Sequence, residues 1–453
     1  MRAILPENLL RLAENCPTPL YVVGGCVRDF LAGLTPHGDV RDWDVCAPLD
    51  ADGFVSVAQK SDFFIKSVYK NTGTVKLKDK TGLDVEYSCF RSDKYIRGIH
   101  TPVEIFFTDD VLLDAKRRDF TANAVYYDIK ADKFVDPLGG ISAIAEKRLT
   151  TVAPAQKVFG EDGLRLMRLA RQAAELGFQP DTDCLQGAIL NAALIKDIVP
   201  ERIFTELIAI LHADKRFQIA GGQYHGLQLL AQTGVLDYVL PELTLGRGMA
   251  QRADFHRYDV LEHSLRAVLY AEENVRLAAL LHDVGKPFCM HKDGNTHAHH
   301  AEGGAIAKQI LFRLKAPKKL AERTVQLVEW HMYDLDGKTG ENKLRRFFVE
   351  HYPLLNDLMA LKQADFSACK DDLRPAPTCV KWKGILEKMK AERAPFTLKE
   401  LSISGNDLLL AGFPAPQLSK LLSALLLHVA VFPKDNVKTR LLRFAHTFSQ
   451  SEK

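Results

Sequence analysis

The hydrophobic period of this chain changes once, and that change restricts the fold more than any other feature. From Pro19 to about Asp136 apolar residues come in short alternating runs, at 21–23, 44–46, 74–77, 85–90, 103–107 and 124–128, which predict strands. After the turn-forming cluster Asp136-Pro137-Leu138-Gly139-Gly140 the apolar residues follow the helical period instead. Strands followed by helices, with no repeating alternation of the two, give an α+β chain: a small mixed β-sheet head followed by a mostly α-helical remainder. Residues 1–12 mix Leu with Arg, Glu and Asn and read as a short amphipathic helix, not an export signal. The most apolar stretch, 421–432, contains Ser423 and His428, is too short to span a bilayer, and reads as a buried helix.

The head carries groups suited to a nucleoside triphosphate. Gly24 and Gly25 follow the apolar run 20–23, and without Cβ atoms they let backbone N–H groups approach phosphates closely, with Arg28 in reach of the same phosphates. Asp42 and Asp44 are two residues apart, so on a strand they project from one face and can grip Mg²⁺ against a nucleotide's phosphates. In the alternating run 83–91, Asp84 and Glu86 share a face, and Glu86 is a third candidate catalytic carboxylate. Arg117-Arg118-Asp119-Phe120 runs into Thr121-Ala122-Asn123-Ala124. Asp162, Arg165, Arg168 and Arg171 recur every three residues and predict one slowly drifting helical stripe. An Asp acceptor beside a forked Arg donor can read the Watson–Crick edge of a base. Singly, each has a bland reading: a glycine pair is ordinarily a turn, Asp-x-Asp a solvated strand end, and a charged stripe a wet helix face.

Their order is not bland. Gly24-Gly25-Cys26-Val27-Arg28-Asp29, the Asp42/Asp44 pair, the 117–124 segment, Glu161-Asp162-Gly163-Leu164-Arg165 through Arg171, and Pro200-Glu201-Arg202 with Glu206 resemble the class II tRNA nucleotidyltransferases. That family builds or repairs the 3′ CCA end of tRNA and includes the bacterial poly(A) polymerases. The resemblance implies template-independent addition of C and A from CTP and ATP to tRNA. It casts Asp42 and Asp44 as the Mg²⁺-binding catalytic pair, and places Gly24, Gly25, Arg28, Arg118, Asp119 and Asn123 around the nucleotide. Asp162 and Arg165 become the protein template that selects the base, and Arg168 and Arg171 face the phosphates. Residues 91–102, with Arg91 and Arg97, read as a loop. In the family this loop accompanies the switch from C to A addition. Two alternatives stand beside this reading: an A-adding-only enzyme or poly(A) polymerase, and a phosphohydrolase whose head is a non-catalytic RNA-binding module.

A second constellation lies downstream. His282-Asp283 follows Ala278-Ala279-Leu280-Leu281 and resembles the signature of HD-type metal-dependent phosphohydrolases, with His263, His300, His331 and Asp365 as the accompanying ligands. Imidazoles with carboxylates suit a first-row transition metal (Ni²⁺, Mn²⁺ or Co²⁺), and an adjacent His and Asp can bridge two ions or support a metal-bound water. His291, His297 and His299 have no matching context and read as surface residues. In the resembling family some enzymes use such a domain as a phosphatase and 2′,3′-cyclic phosphodiesterase.

At 453 residues, 47% of them hydrophobic, the chain is long enough for about three domains with substantial cores. The expected division is a nucleotidyltransferase head (1–140), a helical neck and body for nucleotide selection and RNA binding (141–225), an HD domain (226–372) and a helical tail that contacts tRNA (373–453). The net charge of +3 means that an RNA surface must come from local clusters, such as Lys434, Lys438, Arg440 and Arg443. Eight cysteines without CxxC pairs argue against a disulfide framework or a zinc ribbon and for a reduced, cytoplasmic setting without a membrane partner; the sequence does not define an oligomeric state.

Overall fold

A computed structural model describes residues 1–35, 43–96 and 102–451. The head is built on a seven-stranded mixed sheet: β1 (Tyr21–Val23), β2 (Trp43–Ala47), β3 (Phe64–Tyr69), β4 (Thr74–Lys78), β5 (Asp84–Cys89), β8 (Tyr126–Asp128) and β9 (Lys133–Val135), in the order β3-β4-β5-β2-β1-β8-β9. Only the β2–β5 pair is parallel; its register sets Asp44 beside Glu86. Alternation explains the pairing, since Val45, Val85 and Tyr87 turn into the core while Asp44 and Glu86 turn out. Val23, Cys46, Phe90, Ala124 and Tyr126 close one part of that core with Val152 and Val158, and Phe54 of the helix Ala51–Lys60 stacks on Tyr87.

Three strands depart from the sequence reading. Residues 91–102 are not wholly loop: β6 (Arg91–Lys94) pairs antiparallel with β7 (Glu104–Phe107) as a separate hairpin. Arg-Ser-Asp-Lys carries no apolar alternation because its buried face is the ion pair of Arg91 with Asp93, so pairing with β7 rather than hydrophobic pattern marks it as a strand. β3 lies at the sheet edge with a register shift between Ile65 and Ser67, which breaks its alternation, and β9 is only three residues long. Arg97 lies outside the described residues.

The α+β expectation holds: beyond Gly140 the chain is almost wholly helical. The N-terminal amphipathic helix is Glu7–Asn15, burying Leu9, Leu12 and Ala13, and the apolar stretch near the C-terminus is the helix Leu418–Val431, burying Leu421, Leu425 and Val429. No described helix is long and apolar enough to cross a membrane. The chain divides into two compact units, Met1–Thr244 with Phe312–Ala316, and Leu245–Leu311 with Pro317–Lys453. The 225/226 boundary drawn from sequence falls inside the helix Gly222–Gln232, which packs on Leu164–Leu176 so closely that a Cβ on Gly226 would come within 3.0 Å of the Ala174 Cβ.

Candidate active site and metal centre

In the first unit, β1 ends at Gly24 (φ +79°), which caps the helix Gly25–Leu31. A side chain there is disfavoured twice, by that positive φ and because an added Cβ would lie 3.2 Å from Asp44 Oδ2. Gly24, Gly25 and Asp44 face a cavity of about 540 Å³. Its wall holds nine arginines and four aspartates, a lining rich in the cationic donors that polyphosphate oxygens take.

Much of that charge is organised by a buried network. Arg28, only 5% exposed, donates from Nε and Nη2 to Asp29 Oδ1 (2.8 and 2.6 Å) and from Nη1 to Asn123 Oδ1 (2.9 Å) and Gln172 Oε1 (3.1 Å). The expected phosphate ligand is thereby committed to the cavity wall, joining the turn after β1 to the 117–124 segment. Asp119 accepts from Asn123 Nδ2 (2.8 Å) and from Arg168 Nε and Nη2 (2.8 and 2.6 Å). Burial alone would raise its carboxyl, but Arg168 and Asn123 outweigh burial and hold it well below the usual range. Arg117 and Arg118 both pair with the fully buried Asp114 (2.7 and 3.0 Å), and again the arginines overcome burial and keep that carboxyl ionised. Arg171 is paired with Glu206 (2.7 Å) and Glu175 (3.0 Å).

The Asp162 stripe is not continuous helix. Asp162 (φ −146°, ψ 105°) lies between the helices Ala155–Glu161 and Leu164–Leu176, and its Oδ1 accepts from Leu164 N (2.9 Å), so it starts the second helix. Arg165 reaches back to Arg117 O (2.7 Å) and Val158 O (3.0 Å), with its guanidinium 5.5 Å from the centre of the Tyr95 ring. Asp162 and Arg165 therefore line the same cavity as Asp44. Asp42 lies outside the described residues. Glu86 is outside the cavity lining: it stands beside Asp44 in register, about half exposed, with its Oε2 3.0 Å from Lys76 Nζ. The exposed Asp44 carboxylate at an arginine-lined wall offers hard oxygen ligation of the kind Mg²⁺ takes. Asp114, Gln172 and Tyr95 join the site without belonging to any of its motifs. Helical spacing could have found the first two, three or four residues from Arg117, Arg118 and Arg168; Tyr95 left no signal.

In the second unit four imidazoles and two carboxylates meet on and beside five helices. His263 is on Val260–Tyr270, His282 follows Arg276–Leu281, His299 opens His299–Arg313, His331 follows Lys318–Trp330, and Asp365 is on Leu355–Lys370. Their donor atoms form two triads that share Asp283: His263, His282 and Asp283, and Asp283, His299 and His331. His263 Nε2 lies 3.1 Å from His282 Nε2, 3.4 Å from Asp283 Oδ2 and 3.1 Å from Asp365 Oδ1. On the other side, Asp283 Oδ1 is 3.2 Å from His299 Nε2, itself 3.2 Å from His331 Nε2. Nδ1 of His282, His299 and His331 each faces the carbonyl three residues back (2.8, 2.6 and 2.6 Å); donating there leaves Nε2 with its lone pair turned inward. Burial, then the neighbouring imidazoles, keep His331 neutral, and Asp283 stays ionised against burial beside Lys286 (2.6 Å). This nitrogen–oxygen set fits transition-metal ions.

One reading of the cluster is corrected. His300 belongs to neither triad and is partly exposed, whereas His299, read from sequence as a surface residue, is buried inside the cluster. Adjacent helical residues point about 100° apart, so only one can face inward. Gly285 makes the approach: a Cβ there would sit 2.2 Å from His299 O. His291 and His297 are exposed, as expected.

Taken together, a glycine turn and carboxylate facing an arginine-lined cavity in one unit, and an HD-type cluster in the other, define a nucleotidyltransferase joined to an HD domain. Family descriptions match in the same order: "Poly A polymerase head domain" over 20–150, "Probable RNA and SrmB- binding site of polymerase A" over 177–245, and "HD domain" over 257–367. The chain is 32% identical over 371 residues to an A-adding tRNA nucleotidyltransferase of Deinococcus radiodurans (78% of this chain, 77% of that one). It is 31% identical over 430 residues to a CC-adding tRNA nucleotidyltransferase of Thermus thermophilus (90% and 89%), and 31% over 332 residues to a multifunctional CCA protein of Neisseria gonorrhoeae (69% and 73%). The fold is that of the Bacillus stearothermophilus CCA-adding enzyme solved with CTP, at TM-score 0.67 and 24% identity over 99% of both chains. The chain belongs to the tRNA nucleotidyltransferase and poly(A) polymerase family and is a nucleotidyltransferase.

Proposed function

We propose that this enzyme adds or repairs the 3′-terminal CCA of tRNA, using CTP and ATP and releasing pyrophosphate. The observation that carries the reading is the single cavity with Gly24, Gly25 and Asp44 on one wall and Asp162 and Arg165 on another, lined by nine arginines. The tRNA 3′-hydroxyl attacks the α-phosphorus; a P–O bond forms to the primer, the bridging P–O bond breaks, and pyrophosphate leaves. Asp42 and Asp44 would hold Mg²⁺, which supplies charge neutralisation at the phosphates and lowers the pKa of the attacking hydroxyl. Arg118, Arg168 and Arg171, fixed by their carboxylate partners, hold the field in which the triphosphate sits, and Arg28 braces the Gly24 turn. Asp162 and Arg165 select the base by its Watson–Crick edge, and the neck and tail contact tRNA in the cytoplasm.

The HD centre would act on phosphate esters with Ni²⁺, Mn²⁺ or Co²⁺ held by His263, His282, Asp283, His299, His331 and Asp365. Relatives named for A addition and for CC addition keep partial reactions in view as the second reading. Incubating the protein with tRNAs ending before CCA, after C and after CC, with each nucleotide alone and both together, separates them. Completion and arrest at CCA supports the proposal; addition of A only, of CC only, or of an open-ended A tail overturns it.

A further inference from the structure

The HD cluster continues past its two triads. His256, His263 and Cys369 form a third group whose donor atoms all lie within 4.8 Å of one another. We propose that these three residues are a separate soft-metal site, for Zn²⁺, which shares His263 with the neighbouring carboxylate centre and thereby silences that centre when filled.

Placement is built into the backbone. The segment that enters Val260–Tyr270 is clamped to the end of Leu355–Lys370: Arg257 N donates to Cys369 O (2.8 Å), Lys370 Nζ to Asp254 O (2.5 Å), and the Tyr258 hydroxyl to Asp371. His256 and Cys369 therefore flank one backbone hydrogen bond. The His256 and His263 rings stand perpendicular, 4.9 Å between centres.

Orphaned atoms point to a ligand. While His282, His299 and His331 each have Nδ1 against a carbonyl, Nδ1 of His256 and of His263 is buried with no hydrogen-bond partner among the described residues. Leaving a buried nitrogen so is unfavourable, and coordination is a way for the imidazole to recover the loss.

The donor set selects the metal. Two imidazoles and a thiol suit tetrahedral Zn²⁺, whose bonds of about 2.0–2.3 Å put donors roughly 3.5 Å apart. Small side-chain movements reach that from the present spacing. The adjoining triads are nitrogen and oxygen only, so the two chemistries differ in softness. On binding, the Cys369 S–H bond breaks, the proton passes to solvent and an S–Zn bond forms, with no electron transferred. Lys286, held by Asp283 (2.6 Å) and Gln251 (2.7 Å), is a cation that opposes the ion and limits its affinity. His263 Nε2 is 3.1 Å from Asp365, so an ion that draws on His263 lies close enough to alter the hydrolytic centre.

The metal site stands without the hydrolytic reading; only the silencing rests on it. The test uses the full chain and its Cys369→Ser variant, with Co²⁺ as spectroscopic probe and Zn²⁺ as competitor. The wild type should develop a thiolate-to-cobalt charge-transfer band in the near ultraviolet that Zn²⁺ removes. Cys369→Ser should lack the band and bind one equivalent less Zn²⁺ while retaining the wild-type helical circular dichroism and urea-unfolding profile, which shows that the unit carrying it is folded. No band, or equal zinc stoichiometry in the two proteins, overturns the site. Zn²⁺ that inhibits phosphate-ester hydrolysis equally in both proteins overturns the silencing alone. An absence of hydrolysis in both overturns the HD activity and leaves the site to the band.

Discussion

Replacing Gly24 with alanine tests whether the turn after β1 positions Asp44. Gly24 adopts φ +79°, ψ −141°, which costs a residue bearing a Cβ about 1–3 kcal/mol. The new Cβ would also press on Asp44 Oδ2 at 3.2 Å, so either the turn or the carboxylate must yield by a few tenths of an ångström. Displacements approaching 1 Å at a reacting centre cost about 100-fold in rate, or about 2.7 kcal/mol of transition-state stabilisation. Gly24→Ala should therefore lose about 1–3 kcal/mol of unfolding free energy and, for a shift of a few tenths of an ångström, on the order of 3- to 10-fold in kcat/KM for CTP incorporation. Gly25→Ala is the control for stability. Its Cβ would meet Arg28 Nη2 at an ordinary 3.5 Å in the first helical position, and alanine is the better helix former, so stability should shift by less than about 1 kcal/mol. Urea unfolding of both variants, followed by steady-state addition to tRNA lacking CCA, provides the two numbers. A Gly24→Ala enzyme with wild-type kcat/KM, or equal stability losses in both variants, would refute the reasoning.

Three further outcomes follow from the same geometry. Asp119→Ala should cost about 3 kcal/mol, the low end for a broken buried pair because Arg168 keeps some solvent. Since the Asp119 carboxyl is held below its unfolded value, its stabilisation is present above about pH 4 and is lost as pH falls through the depressed folded value; the variant's stability curve should be flatter on that acid limb, as urea titrations at several pH values will read. His299→Ala should lower bound transition metal per chain, measured by elemental analysis, while His300→Ala should leave it unchanged; equal losses would undo the assignment of His299. Gly285→Ala should lower unfolding free energy by more than about 2 kcal/mol, because the clash at 2.2 Å is with backbone rather than a movable side chain; a smaller loss in urea unfolding would show that the helix His299–Arg313 can shift.

Spacing along the chain was enough wherever one element carries the whole pattern. Val22, Val45, Val85 and Tyr87 announce the sheet because burial on one face imposes a period of two, and the helix Leu418–Val431 announces itself by its apolar content. The same holds for the glycine turn, whose positive φ and close approach to Asp44 favour residues without side chains. β6 was hidden because its partner strand, not its residues, holds it extended. The choice between His299 and His300 turned on how a helix is rotated against Gly285, and linear spacing carries no such information. The place of Arg28 after the glycine pair marks it as a phosphate ligand, and nothing in the linear order brings Asn123 and Gln172, 95 and 144 residues away, to engage it. Residue types and their order thus determined the class of chemistry, because phosphate and metal binding require particular atoms. Tertiary packing decided which of those atoms are turned to the cavity and which are spent holding it in shape, because that depends on contacts between segments far apart in the chain.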